Sequence, residues 1–234
     1  EQHVAHADRL RLLFPPPGVV LGAPLSGEAS RVVLRAMGGQ RPLTFLVDGA
    51  PLVTDPARRL GRIRVQASGR NCVLFFDNLT WGGNCHANIR LLGRESAVLF
   101  GDIGAAYVQL GDVFMRSHRQ FLFWGAGSSA VGLSMEVEGE EKGVVIGDDA
   151  LISGGVWIRN YDMHAMHDLA TGARLNKPPV TTVLERHVWL GQDAMLLNTG
   201  RVGMGAIVGA RALVKGQVPP RVAVAGTPAR VLRE

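Results

Sequence analysis

From Ile146 onward the chain keeps a period of six. The blocks IGDDAL, ISGGVW and IRNYDM are led by Ile146, Ile152 and Ile158. The blocks LERHVW, LGQDAM, LLNTGR, VGMGAI, VGARAL and VKGQVP follow, led by Leu184, Leu190, Leu196, Val202, Val208 and Val214. All nine leads are aliphatic, and the fifth position is Ala or Val in seven blocks: Ala150, Val156, Val188, Ala194, Ala206, Ala212 and Val218. A helix recurs at about 3.6 residues and a simple strand at two, so neither accounts for a strict six. A period of six with a small fifth residue is the signature of a β-helix whose triangular coil takes three hexapeptides.

That geometry assigns each position a role. The lead side chain points inward and stacks on its equivalents in the coils above and below. The fifth residue also faces inward, beside a corner where only a small side chain fits. Glycine at the second position (Gly147, Gly191, Gly203, Gly209) is expected there because it tolerates positive φ. Coils pair through their backbones at the ordinary interstrand spacing of about 4.8 Å.

At 234 residues the chain is long enough for a well-buried core, and 30 glycines with 6% aromatics suit a corner-rich solenoid. A net charge of +5 favours anionic partners, such as a nucleotide-bearing cofactor or an acidic glycan, without choosing between them. No apolar run is long enough to span a bilayer as a helix, so no membrane span is expected. No charged-then-apolar leader is visible at Glu1, and Cys72 and Cys85 form neither a disulfide framework nor a zinc motif. A cytoplasmic location with reduced thiols is the expectation.

Residues 1–60 read differently. Asp8 to Phe14 suits a short helix stopped by Pro15, Pro16 and Pro17. Leu43–Val47 and Ala50–Val53 flank Asp48-Gly49, a favoured hairpin turn. The expected organisation is a small N-terminal β-rich cap over 1–60 and a β-helix over 61–234, ragged between Ile63 and Phe123. An excursion at about 160–183 leaves the coil, because 26 residues between Ile158 and Leu184 is not a multiple of six. Long excursions from a rigid scaffold usually carry function.

Three segments carry a family resemblance: the excursion IRNYDMHAMHDLATGARLN, with its Asp-x-His and Asp-x-x-Thr-Gly-x-x-x-Asn patterns; the block ERHVWLGQDAMLL; and the ending VGARALVKGQVPPRVAVAGTPARVLRE. In this order they resemble the hexapeptide-repeat, left-handed β-helix acyltransferases, and among them the sugar and polysaccharide O-acetyltransferases. The resemblance covers roughly 144–234. It implies an all-β fold (a left-handed parallel β-helix with a cap and a protruding loop) and transfer of an acetyl group from acetyl-CoA to a sugar hydroxyl. It further implies a homotrimer with sites shared between adjacent subunits, and no metal or nucleic acid.

By the same resemblance His164 is the general base, a role that imidazole suits because its pKa lies near neutrality. Asp162 and Asp168 are both candidates to orient the ring, and His167 is the second choice of base. Trp189 precedes an inward Leu190, so it faces outward and is assigned to the cofactor arm or the reacting carbonyl. Trp157 shares that phase and is assigned to packing, and His187 to structure. Lys215, Arg221 and Arg230 are expected to meet the coenzyme's phosphates, with Gly209, Ala210, Ala225 and Gly226 allowing its close approach. Thr227 stands where the family usually has Asn. His118 and Asn84 are acceptor-side candidates.

Besides a non-catalytic β-helix that serves as a scaffold or binding module, two other readings stay open at this point. One is N-acetylation of an amino sugar. The other is a metal enzyme of the β-helix carbonic-anhydrase type using Asp162, His164, His167 and Asp168, although the five-residue histidine spacing of that family is missing.

Overall fold

The computed structural model describes residues 85–101, 106–162, 164–176 and 178–233, together with Cys72 and five earlier strands. Those strands are Arg31–Leu34, Thr44–Val47, Ala50–Pro51, Gly61–Ala67 and Val73–Phe76. The expected Asp8–Phe14 helix and Asn84 lie outside the described residues.

Among the described strands every pairing is parallel except two hairpins, Thr44–Val47 with Ala50–Pro51 and Ala223–Gly226 with Ala229–Arg233. The first closes on Val47 opposite Ala50, around the Asp48-Gly49 pair. Strands within 31–51 also pair in parallel with the solenoid: Arg31–Leu34 with Val73–Phe76, and Thr44–Val47 with residues 62–65.

The pairings define three faces of a triangular prism. On the first, Phe76, Phe100, Trp124, Ile146, Leu184, Val202 and Val218 stack in register. On the second the column is Val108, Ala130, Ile152, Leu190, Val208 and Val224. On the third it is Ile89, Val113, Met135, Ile158, Leu196 and Val214. All nine aliphatic leads and all seven small fifth residues named above are buried. The chain therefore buries one apolar residue per short strand, and the hydrophobic effect fixes the register along the axis.

Two expectations from the repeat are corrected. Val218 is a lead residue, stacked on Val202, because the block after Val214 is shortened to four residues. The second-position glycines do not have positive φ; that conformation falls at the fourth position, at Asp149, Gly155, His187, Asp193, Gly205, Arg211 and Arg221. Glycine is needed at the second position for room. A Cβ on Gly147 would lie 2.6 Å from the Arg186 nitrogen, and one on Gly191 2.7 Å from the Ala210 nitrogen.

The stretch between Ile63 and Phe123 is regular rather than ragged, but with a wider coil. Val73 pairs with Ala97 and Ala97 with Phe121, a repeat of 24 residues. The extra length sits at the corner between the third and first faces, where turns at 92–96, 116–120 and 138–142 stack. The core widens to match. Phe100 and Trp124, both buried, fill the lead column there with ring centroids 6.1 Å apart. Cys72 is buried, and its Sγ donates to the Gly93 carbonyl at 3.2 Å.

Candidate functional site

The excursion leaves the prism at this same third-to-first corner, and buried Asn160 holds its neck. The Asn160 side chain accepts from the Glu138 nitrogen and donates to the Glu138 and Val180 carbonyls, each at 2.8 Å. The Val180 nitrogen returns a bond to the Asn160 carbonyl at 2.9 Å. Outgoing and returning chain are thereby locked side by side, and the loop between them folds independently of the coil register.

Inside the loop each residue of the Asp-x-x-Thr-Gly-x-x-x-Asn pattern has a physical task. Asp168 Oδ1 accepts from the nitrogens of Ala170 (3.0 Å) and Thr171 (2.7 Å) and from the Thr171 hydroxyl (2.8 Å). These bonds, the Thr171 backbone bond foremost, hold its carboxyl below the usual carboxylate range. Gly172 takes φ of 69°, in the left-handed region that a side chain would strain. Beyond this turn His167 and Arg174 form an antiparallel bridge. Asn176 then clamps the base of the hairpin, its Oδ1 accepting from the Met166 nitrogen at 2.9 Å and its Nδ2 donating to the His164 carbonyl at 2.7 Å.

This scaffold fixes the backbone of His164, whose nitrogen also donates to the Asp162 carbonyl at 2.7 Å. The imidazole itself is exposed and has no hydrogen bond among the described residues. His167 turns its Nδ1 to the Gly172 carbonyl at 3.1 Å. Of the two candidate orienting carboxylates, Asp168 is engaged in the turn. Asp162, largely buried, lies 3.6 Å from Lys215 Nζ.

Trp189 stands on the second face between Leu151 and Ile207, 45% exposed, its indole N–H directed at the Ser153 hydroxyl at 3.4 Å. Leu151 and Ile207 are exposed as well, so the three make an apolar stripe on the outside of the prism. Gly209, Ala210, Ala225 and Gly226 gather at the adjoining corner. A Cβ on Gly209 would stand 2.9 Å from that of Ala225. Arg230 pairs with Ala225 across the terminal hairpin, whose turn contains a cis Thr227–Pro228 bond. Lys215 is on the third face with Asp162, and Arg221 on the first-to-second corner, so the three expected phosphate ligands do not share one face. His187 takes φ of 60° at a corner and meets Asp149 Oδ2 at 2.7 Å, and Trp157 lies half-buried under Arg159. His118 Nδ1 accepts from the Arg94 nitrogen at 3.2 Å in a corner turn.

Sequence reasoning quoted Asn176 within the motif without giving it a task, and did not single out Asn160 or Ser153. Asp-x-x-Thr-Gly is a recognisable Asx-type turn, which was the available signal for the clamp. The Trp189–Ser153 and Asp162–Lys215 pairs join residues far apart in the chain and carry no local signature. Among the described residues no three His, Cys, Asp or Glu side chains gather to hold a metal, and no helix is long and apolar enough to cross a membrane.

The chain is 30% identical over 100 residues to an Escherichia coli (strain K12) protein named as a lipopolysaccharide biosynthesis O-acetyl transferase, covering 40% of this chain and 51% of that one. It is 31% identical over 91 residues to the galactoside O-acetyltransferase of the same strain, covering 39% and 44%. The crystal structure of the polySia-specific acetyltransferase NeuO superposes with a TM-score of 0.70 at 20% identity, over 90% of this chain and 78% of that one. The chain thus resembles the hexapeptide-repeat acyltransferases in part of its sequence and in its fold. Its prism is their left-handed parallel β-helix, and the spacing of six is their repeat. The chain spans about half the length of the curated relatives it matches. Separately, the Penicillin-Binding Protein C-terminus Family model matches residues 1–78.

Proposed function

We propose that the protein transfers an acetyl group from acetyl-CoA to a hydroxyl of a sugar or polysaccharide, with His164 as general base. The observation that carries this reading is the clamp of Asp168, Thr171, Gly172 and Asn176, which holds the His164 backbone while leaving its imidazole unengaged. A catalytic base needs a fixed position and a free nitrogen. The imidazole takes the hydroxyl proton as the oxygen bonds to the thioester carbonyl carbon. The tetrahedral centre then collapses, the C–S bond breaks, and the proton passes from the imidazolium to the departing thiolate. A backbone N–H or the Trp189 indole stabilises the oxyanion.

Within one chain the two halves of this site stand apart. His164 is tied near the third-to-first corner through Asp162 and Lys215, whereas Trp189 is on the second face. A neighbouring copy brings them together, and the exposed apolar tip of the excursion (Met166, Leu169, Leu175) supplies a contact for it. The assembly in this reading is a homotrimer. The second-face residues Trp189, Gly209, Ala210, Gly226 and Arg230 line the coenzyme, with Lys215 at the edge of the neighbouring site. Residues 1–60 serve as a β-rich cap in this reading, and the location is cytoplasmic.

The test is titration of acetyl-CoA into wild type and His164→Ala, followed by transfer to a panel of sugar acceptors. Saturable binding in both, with transfer lost only in the variant, supports the reading. Failure of wild type to bind at millimolar acetyl-CoA removes it.

A further inference from the structure

One outer face of the wide coils is left unassigned by this chemistry. On the third face, residues of successive strands form a column of Arg90, Phe114, Glu136 and Arg159, with Glu136 buried between its neighbours. Beside it runs a second column in which Ser134 pairs with Trp157 and Trp157 with Met195. The Arg90 guanidinium lies over the Phe114 ring, 4.8 Å from its centroid, and Arg116 lies 5.3 Å from the same centroid. Arg159 lies over Trp157 at 4.9 Å. Three guanidiniums are thus held against aromatic rings, which fixes their planes at little entropic cost on binding.

The charges on this face do not cancel. Arg159 Nε meets Glu136 Oε2 at 3.3 Å, Lys215 meets Asp162 at 3.6 Å, and Asp112 is hydrogen-bonded by Asn88. Arg90 and Arg116 have no carboxylate within ion-pair distance among the described residues. Alongside, at the corner between the second and third faces, a recess of about 280 Å³ is lined by His86, Gln109, Val131, Ser134 and Trp157, among others. Short hydrogen-bonding groups beside an indole suit a hydroxyl-bearing ring, and free guanidiniums suit carboxylates.

We infer that this face is the acceptor subsite for an acidic glycan: one sugar ring sits in the recess beside Trp157, and carboxylates of the chain rest on Arg90 and Arg116. The inference rests on the transferase reading and names its substrate class. From Arg90 to Arg159 is three strand spacings, roughly 14 Å, so the stripe meets more than one sugar unit. Arg159 immediately precedes Asn160, so a chain lying along the stripe runs to the neck of the excursion that carries His164. A nucleic acid fits less well, because single-stranded bases need open aromatic faces and here guanidiniums occupy them.

The experiment is calorimetric titration, without acetyl-CoA, of an oligogalacturonate, an oligosialate and a neutral malto-oligosaccharide of equal length. Wild type should bind at least one acidic oligomer at least tenfold more tightly than the neutral one, and less tightly as salt rises. The double variant Arg90→Gln/Arg116→Gln should lose at least tenfold in that affinity with unchanged acetyl-CoA binding and unchanged melting. Equal binding of neutral and acidic chains overturns the proposal, as does a double variant that binds like wild type. So does binding of neither acidic oligomer by protein that still binds acetyl-CoA, or tighter binding of oligothymidylate than of either. If the acidic chain binds and acetyl-CoA does not, the transferase reading falls while the glycan face stands.

Discussion

Asn160 and Val180 exchange hydrogen bonds across the neck of the excursion, the Asn160 amide donating to the Val180 carbonyl and the Val180 nitrogen donating back to the Asn160 carbonyl. This closes a loop of about twenty residues at one corner, so the coil resumes at Leu184 in the register it left at Ile158. Variation in this segment is thereby confined to a loop, and the stacked core is not interrupted.

Asn160→Ala should be strongly destabilising. It strands a buried N–H and two carbonyls at once, and a buried polar group left without its partner costs about 1–3 kcal/mol. A loss of about 2–4 kcal/mol is expected in denaturant titration. A change under about 0.5 kcal/mol would mean that the neck is not closed by this side chain.

Asn176→Ala should act on the site rather than the fold. Its partners, the His164 carbonyl and the Met166 nitrogen, lie in the exposed loop, so melting should barely move. Turnover should fall roughly 10–100-fold as His164 loses its fixed position, since small misplacements are costly to catalysis. Unchanged kcat would separate the clamp from the chemistry.

The turn at Asp168 should respond to acid. Its carboxyl is held below the usual range, chiefly by the Thr171 backbone bond. A lowered folded-state pKa stabilises the turn above the unfolded value, near 3.9, and that contribution fades as pH falls through the folded value. Amide exchange at Ala170 and Thr171 should therefore be protected at neutral pH and rise only below about pH 4. In Asp168→Asn it should be fast at both. Protection that disappears already near pH 6 would point to histidine instead.

Two tryptophans should behave oppositely. Trp124 is buried in the wide coils, and Trp124→Ala should cost about 3–5 kcal/mol. Trp189 is 45% exposed, so Trp189→Ala should leave the stability of the isolated chain within about 1 kcal/mol while lowering acetyl transfer. Equal destabilisation by both would contradict the outward placement of Trp189.

Gly191→Ala and Gly205→Ala should differ for distinct physical reasons. The first drives a Cβ to 2.7 Å from the Ala210 nitrogen, a backbone atom that cannot step aside, and about 1–3 kcal/mol of overpacking is expected. The second has its nearest neighbour, Arg221 Cγ, at 3.7 Å and loses only the ease of positive φ, about 1 kcal/mol. Parallel denaturation curves that reverse this order would restore φ as the reason for second-position glycine.

The stacked core was legible in the sequence because a six-residue period is a local property: each lead position meets its own equivalent one coil away, so the pattern alone names the inward column. The same locality made the excursion visible, since 26 residues from Ile158 to Leu184 break the period, and it set His164 and Trp189 apart as loop and outward residues. The period did not reveal the coil of 24 in Val73–Phe121, where most of the added residues fall at the third-to-first corner and leave no fixed hexamer to count. Nor did it place positive φ at the fourth position, because glycine there is often replaced by Asp, His or Arg. Tertiary structure alone decided which distant groups meet: Asp162 with Lys215, Trp189 with Ser153, Arg90 and Arg116 with Phe114. Such pairs depend on how many residues each corner consumes, and that count is settled by packing of the whole prism rather than by any short stretch of chain.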